Sequence, residues 1–232
     1  MRLAIIGDGK MGRAIATLAT ERGHQVVALL GVKENAGASW ITPEHAALVD
    51  VAIEFTEPSA ACDNVFACLA HGVPLVIGTT GWYSALPVLE AEALRVGGAL
   101  FWAPNFSLGV ALAIEVARQA GILFAAHPKF DVHLVETHHS QKKDAPSGTA
   151  MAMARAVEKS LTRPVPTSSV RVGHVPGTHT LIFDGPYEQI TLTHEARDRR
   201  VFADGALHAA EWLVGRRGVF TMRDLLRTSE AS

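Results

Sequence analysis

The apolar residues of this chain fall into two rhythms. In the first, short unbroken apolar runs, LAIIG (3–7), VVALL (26–30), VDVAIEF (49–55), PLVIGTT (74–80) and ALFWAP (99–104), alternate with helical stretches near 10–22, 60–71 and 85–96. Runs rich in β-branched residues without strict alternation predict strands covered on both faces, as in a parallel sheet. Gly23 stands where a helix C′ residue belongs, with Arg22 in the last turn where a cation suits the dipole. The next strand then follows through a tight connection, as βαβ units prefer.

After Phe106 the rhythm changes. A long apolar helix over 108–125 leads to VHLVET (132–137), a dense polar segment and a helix ending at Leu161. A loop with Pro164 and Pro166 follows, then VRVGHV (170–175), HTLIFDG (179–185) and EQITLTHEA (188–196). Their period-two alternation predicts an antiparallel or mixed sheet with one face packed on helices. The stretch 205–226 returns to helical periodicity, with Gly205 at its start. The pattern predicts an α/β first domain over 1–105, completed by C-terminal helices in 206–232, and a smaller α+β domain with a mixed sheet over 106–205.

Composition narrows the function classes. With 48% hydrophobic and 19% charged residues the chain reads as a soluble globular protein. A net charge of −2 and the lack of a continuous basic stripe argue against a nucleic-acid surface, so the expected partner is a small molecule. Cys62 and Cys68 lie in a helical stretch at a spacing that fits neither CxxC redox chemistry nor a zinc knuckle, and are expected to be buried reduced thiols. The N-terminal apolar run is too short for a signal peptide or membrane anchor, so no membrane association and a cytoplasmic location are expected.

Chemistry concentrates in ETHHSQKKDAPSGTA (136–150). Pro146, Ser147, Gly148 and Thr149 precede an alanine-rich run of high helix propensity, so Ser147 or Thr149 is the expected N-cap. Free amides and the positive end of the dipole then make a seat for a carboxylate or phosphate, with Lys142 and Lys143 adding positive charge. His138, His139 and Lys142 are groups that move protons, since imidazole titrates near neutrality and a lysine crowded by cations gives up its proton more easily. The plain alternative is a hydrated loop. A metal site is not expected, because the motif offers no third ligand at zinc spacing and the ammonium groups repel a cation.

GDGKMG (7–12) has GxGxxG spacing directly after one strand and before one helix, which predicts a Rossmann-like nucleotide-binding domain. Gly7 permits the tight turn, Gly9 the approach of a pyrophosphate, and Gly12 close helix packing, with Asp8, Lys10 and Met11 in the same loop. No acid stands directly at the end of the second strand, where Gly31, Val32, Lys33 and Glu34 follow Leu30. Glu34 suits ribose hydroxyls and Lys33 a 2′-phosphate, so NAD and NADP both stay open, and a pocket tolerant of both is expected. GTTG (78–81) and APNFS (103–107) end further strands, where ligands of open α/β sheets bind. Both are also ordinary turn sequences.

With GDGKMG, DVAIEFTEP, VIGTTG, APNFSLGV, VETHHSQKKDAPSGTA and FADGALHAAEWL in this order, the chain resembles the 4-hydroxy-tetrahydrodipicolinate (dihydrodipicolinate) reductases of the diaminopimelate route to lysine. The resemblance implies a reductase using NADH or NADPH on a small dicarboxylate, with a nucleotide-binding domain and a substrate domain whose sheet forms the core of a homotetramer. It implies that His138 is the acid/base and Lys142 the proton donor, while His139, Ser147, Gly148 and Thr149 hold a substrate carboxylate. Gly7 to Gly12 take the pyrophosphate positions, and Gly78, Thr79, Thr80, Ala103, Pro104, Asn105 and Phe106 those of the nicotinamide ribose and ring. Many members carry an acid where Gly31 stands, and the chain is shorter than the longer members. Two rival readings are another two-domain reductase or amino-acid dehydrogenase, and a nucleotide-sensing regulatory protein that needs no proton donor.

Overall fold

In the computed structural model, which describes residues 1–228, the chain begins with β1 (Arg2–Ile6), α1 (Lys10–Glu21), β2 (Gln25–Leu30) and a short α2 (Pro43–Ala46). It continues with β3 (Val51–Glu54), α3 (Pro58–Ala70), β4 (Leu75–Ile77), α4 (Leu86–Val96) and β5 (Ala99–Trp102). Then come α5 (Leu108–Ala125), β6 (Asp131–His138), α6 (Gly148–Leu161), β7 (Thr167–Arg171), β8 (Thr178–Asp184) and β9 (Gln189–Glu195). The chain ends in α7 (Arg200–Leu213), β10 (Gly218–Phe220) and α8 (Met222–Thr228). Two units separate, Met1–Ser107 with Phe202–Ser232, and Leu108–Val201. The predicted helical stretch reaches 232, and its part at 229–232 lies outside the described residues.

The first unit holds a six-stranded sheet in the order β10-β5-β4-β3-β1-β2, with every pair parallel. Leu3, Ile5, Ile53, Leu75 and Leu100 are fully buried, which is why these strands read as unbroken apolar runs. β2 and β3 lie on opposite sides of β1, so the chain reverses its winding between β1 and β3. That is the switch point where ligands of such sheets bind. α1 ends as expected: Gly23, at φ +76°, donates its N–H to the Thr20 carbonyl, and the His24 N–H reaches the Ala19 carbonyl, a Schellman pair.

Three expectations need correction. The stretch after Gly205 is not wholly helical, because GVF forms β10 and pairs with β5 at the sheet edge. Three half-buried residues are too few to carry a period. Gly205 does not start a helix either. It is buried inside α7, which begins at Arg200, where the Asp198 carboxylate accepts the Arg200 N–H at 2.8 Å. Finally, VRVGHV is a strand only in its first two residues, Val170 and Arg171, which end β7. β7 covers Thr167–Arg171, in parallel register with Leu134–His138 of β6, and the chain turns at Gly173. As an exposed edge strand β7 carries little apolar alternation.

The second unit holds a mixed sheet in the order β7-β6-β8-β9, with β7 parallel and β8 antiparallel to β6. Val132, Leu134, Glu136 and His138 point to its buried face, and Leu181 and Phe183 of β8 join them. Met153 and Val157 of α6 and Ala117 of α5 cover that face. A Cβ at Gly121 of α5 would stand 2.9 Å from the Val157 backbone, so the two helices cross closely. α5 is also long and apolar enough to span a membrane, but its Ala113 and Ala117 are built into this core. Both cysteines are free. Cys68 is buried, with its thiol pushed up by burial, whereas Cys62 is only half-buried, contrary to expectation.

Candidate functional site

In the first unit a cleft of about 390 Å³ opens at the switch point, lined by the ends of β1, β2 and β3. Gly7, Asp8 and Gly9 form one wall. Gly7, at φ +110°, lies so close to the Phe55 carbonyl that a Cβ would collide with it, and a Cβ at Gly12 would collide with the Gly7 carbonyl. At Gly9 nothing lies within 4 Å of such an atom, so the backbone is open to the cleft. Gly9 is the N-cap of α1 and no side chain caps that helix. Arg13 pins the loop through its Nε–H to the Asp8 carbonyl at 2.7 Å. An uncapped helix start behind an open glycine fits a phosphate group.

The other residues singled out in this unit divide. Lys10 and Met11 begin α1, and exposed Lys33 does not line the cleft. Glu34 folds back so that its carboxylate accepts the Gly31 N–H at 3.1 Å. Gly78, Thr79 and Thr80 follow β4, and Ala103, Pro104, Asn105 and Phe106 follow β5. Thr79 joins two strand ends, since its hydroxyl accepts the Thr56 N–H at 2.7 Å. Phe106 packs on Phe55 and Phe101 as core, and the Asn105 side chain accepts the Ser107 N–H at 2.8 Å. A buried polar set went unread: Asn35 donates to Asn64 at 2.8 Å, Asn64 reaches Glu54 at 3.5 Å, and the Thr56 hydroxyl donates to Glu54. Burial pushes the Glu54 carboxyl up, against the pull of these hydrogen bonds.

In the second unit the dense motif starts inside β6 rather than in a loop. Glu136 is fully buried, and its carboxylate accepts the Ser147 N–H at 3.1 Å on both oxygens. It also accepts the Ser169 hydroxyl and the Arg171 guanidinium, each at 2.7 Å. Burial works to raise this carboxyl, but the bonds from Ser147, Arg171 and Ser169 outweigh it and bring it down to about 2. The strand holds this buried carboxylate because donors surround it. One amide at the start of α6 is thus answered from within the protein, while Gly148 stays exposed with open space around it.

Ser147 is the N-cap of α6, its Oγ accepting the Ala150 N–H at 3.1 Å. His138 is buried at the end of β6, with Nε2 3.2 Å from Glu136 Oε2 and 3.4 Å from His179 Nε2. Burial lowers the His138 pKa, Glu136 opposes the fall, and Lys142 and Arg171 add to it. Lys142 and half-buried His139 share a turn in which the Lys142 N–H reaches the His139 carbonyl at 3.1 Å. Lys142 has an anionic partner beside its cationic neighbours: its Nζ donates to both Asp144 oxygens, at 2.8 and 3.0 Å, and the Arg171 guanidinium donates to the Asp144 carbonyl. Thr149 is half-buried in the first turn of α6.

The fold also supplies what the motif lacked, a third potential ligand. Glu136, His138 and His179 bring ligand atoms within 4.8 Å of one another. The set does not suit a divalent ion, because Arg171, Ser169 and Ser147 already occupy the Glu136 carboxylate with donors. His179 escaped the sequence reading because it lies 41 positions from His138. Its trace is a polar residue on the inward phase of β8, beside Leu181 and Phe183.

Family models for the dihydrodipicolinate reductase N-terminus and C-terminus match residues 1–106 and 109–226. The chain belongs to the dihydrodipicolinate reductase family. Among similar family members, 4-hydroxy-tetrahydrodipicolinate reductase of Stenotrophomonas maltophilia is 40% identical over 98% of both chains. The enzyme of that name from Christiangramia forsetii is 34% identical over 97% of this chain and 98% of its own. The solved dipicolinate-bound dihydrodipicolinate reductase of Paenisporosarcina sp. TG-14 superposes with a TM-score of 0.79, at 26% identity over 97% of this chain and 98% of that one.

Two expected outcomes follow for this member of the dihydrodipicolinate reductase family. Ser147→Ala removes the cap of α6 and should cost about 1 kcal/mol in chemical denaturation. The second concerns acid. Burial, and then the neighbouring His138, hold the His179 imidazole down at about 4, against an ordinary 6.5. A histidine lowered in the fold stabilises it fully above its unfolded value, and that contribution is lost as pH falls from 6.5 through 4. It amounts to on the order of 3 kcal/mol. Glu54, raised by burial, acts in the opposite sense. Melting temperatures between pH 7 and pH 4 should fall in the wild type and fall less steeply in His179→Gln; parallel curves would contradict the assignment.

Proposed function

We propose that this chain reduces 4-hydroxy-tetrahydrodipicolinate to tetrahydrodipicolinate with NADH or NADPH, in the diaminopimelate route to lysine. The conversion replaces a ring hydroxyl by hydrogen: the hydroxyl leaves as water together with a hydrogen of the neighbouring ring carbon, a hydride enters at the carbon that bore the hydroxyl, and a proton returns to the neighbour, so that one proton is consumed overall. The observation that carries the reading is the junction of His138, Ser147 and Glu136 at the start of α6, beside the turn that holds Lys142. A reduced nicotinamide supplies the hydride. The chain's own residues supply the rest. Lys142 delivers the proton to the ring carbon beside the one that receives hydride, and His138 stabilises the charge that develops. His139, Ser147, Gly148 and Thr149 hold a ring carboxylate, with Gly148 giving it access to the backbone.

In this reading residues 1–105 with 206–232 bind the nucleotide, Gly7 to Gly12 taking the pyrophosphate and Gly78, Thr79, Thr80 and Ala103 to Phe106 the nicotinamide end. Residues 106–205 bind the substrate and form the core of a homotetramer, in the cytoplasm. Both coenzymes serve, in keeping with Gly31 rather than an acid directly after β2. The test condenses aspartate semialdehyde and pyruvate with the preceding synthase and follows nicotinamide absorbance with each coenzyme. Oxidation dependent on the condensed product, with kcat/KM values for NADH and NADPH within about tenfold, is expected; no oxidation would overturn the function.

A further inference from the structure

Across the buried face of the second sheet, four polar residues stand directly opposite one another: Ser169, Glu136, His179 and His194. Around them the face is apolar, with Leu134, Leu181 and Phe183 all buried. Packing alone does not call for an imidazole at 179. Its ring is buried, and its Nδ1 has no hydrogen-bond partner, which costs free energy. Its Nε2 meets three groups of the site instead: Ser147 Oγ at 3.2 Å, His138 Nε2 at 3.4 Å and Glu136 Oε2 at 3.9 Å.

These contacts restrict each partner. A carboxylate oxygen and two bare ring nitrogens repel one another, so at least one Nε2 carries a hydrogen at this junction, and the Ser147 hydroxyl closes the set. Ser147 must keep a lone pair on the Ala150 N–H, so its remaining bond sets the direction of its own hydrogen. Without His179, the His138 ring keeps Glu136 and its bond to the Pro176 backbone but loses its edge-on neighbour, whose plane stands at 73° to its own. The Ser147 hydroxyl then turns freely about its Cβ.

We propose that His179 is a positioning residue for the reduction: it touches neither substrate nor nucleotide, and it fixes the orientation of His138 and of the Ser147 hydroxyl. The inference rests on the reading above of His138 and Ser147 as groups that face the substrate. Two variants test it. The amide of His179→Gln reaches about as far as Nε2 and offers a hydrogen-bonding group there, whereas His179→Leu fills the space without one. His179→Leu should lower kcat/KM for the dicarboxylate by roughly 10- to 100-fold, the scale of a small misplacement. His179→Gln should recover it to within about fivefold of wild type, with KM for the nucleotide unchanged in both. A leucine variant with near wild-type kcat/KM, or a glutamine variant as impaired as leucine, would overturn the proposal. A second measurement needs neither turnover nor a folded leucine variant: the ¹⁵N shifts of the His138 ring in ligand-free protein, which should report one fixed ring state in the wild type and an average in His179→Ala. Identical His138 shifts in the two proteins would overturn it. Should the wild type fail to reduce the dicarboxylate, the function falls, and the ring shifts still decide the positioning role.

Discussion

Alanine at position 142 is expected to lower kcat by roughly 10²- to 10³-fold, within the range that a positioned general acid contributes, while the dissociation constant for nucleotide changes by less than about twofold. The side chain of Lys142 is 23% exposed, so it is neither free in solvent nor sealed in the core. Its backbone is held by the turn to His139, and the segment after it is tied down because the Arg171 guanidinium donates to the Asp144 carbonyl at 2.6 Å. Asp144 gives the ammonium a resting partner at the surface, from which it can turn to a substrate without loss of a buried contact. The glycine loop to which the proposal assigns the nucleotide belongs to the other unit, so binding and turnover should separate in steady-state and single-turnover kinetics. A Lys142→Ala enzyme within about threefold of wild-type kcat would remove Lys142 from the mechanism.

What could be read from sequence follows from how far each feature depends on distant residues. The parallel strands were legible because residues such as Ile5 and Ile53 are buried on both faces and each reports this through its own apolar run. The end of α1 was legible because Arg22, Gly23 and His24 form a local Schellman pair. The start of α6 was legible for the same reason, its cap Ser147 binding an amide only three positions on. β10 and β7 were missed or misplaced because they are edge strands, defined by pairing with β5 and β6 rather than by a periodic face of their own.

The site divides in the same way. Residues 138–149 could be assembled by reading along the chain, since they lie in one strand end, one turn and one helix start. His179, Ser169 and Arg171 could not, because they reach Glu136 only through strand pairing. Their absence misled one inference: no third ligand atom was expected although β8 brings one. Polar residues on the inward phase of an otherwise apolar strand, Glu136 after Leu134 and His179 before Leu181, are the signal that sequence does hold.

Glu136 is where removal should cost the most stability. Glu136→Ala deletes one carboxylate and leaves three donors behind: the Ser147 N–H, the Ser169 hydroxyl and the Arg171 guanidinium, whose side chain is only 18% exposed. Breaking one side of a buried charge pair costs about 3–5 kcal/mol, because the abandoned charge stays desolvated. For a protein of this size that corresponds to a fall in melting temperature of roughly 6–20 °C. Glu136→Gln should cost less, since its amide oxygen still accepts two of the three donors and the strand keeps its shape. The carboxylate, lowered to about 2 from an ordinary 4.5, stabilises the fold above 4.5, and its contribution is lost as pH falls through 2. The gap between wild type and Glu136→Ala should therefore be widest near neutrality and close in strong acid. Urea unfolding at pH 7 and at pH 3, with Ser147→Ala as a reference for loss of the cap alone, measures both parts. If Glu136→Ala unfolds at the same urea concentration as Ser147→Ala at pH 7, the carboxylate is not what joins β6, β7 and α6.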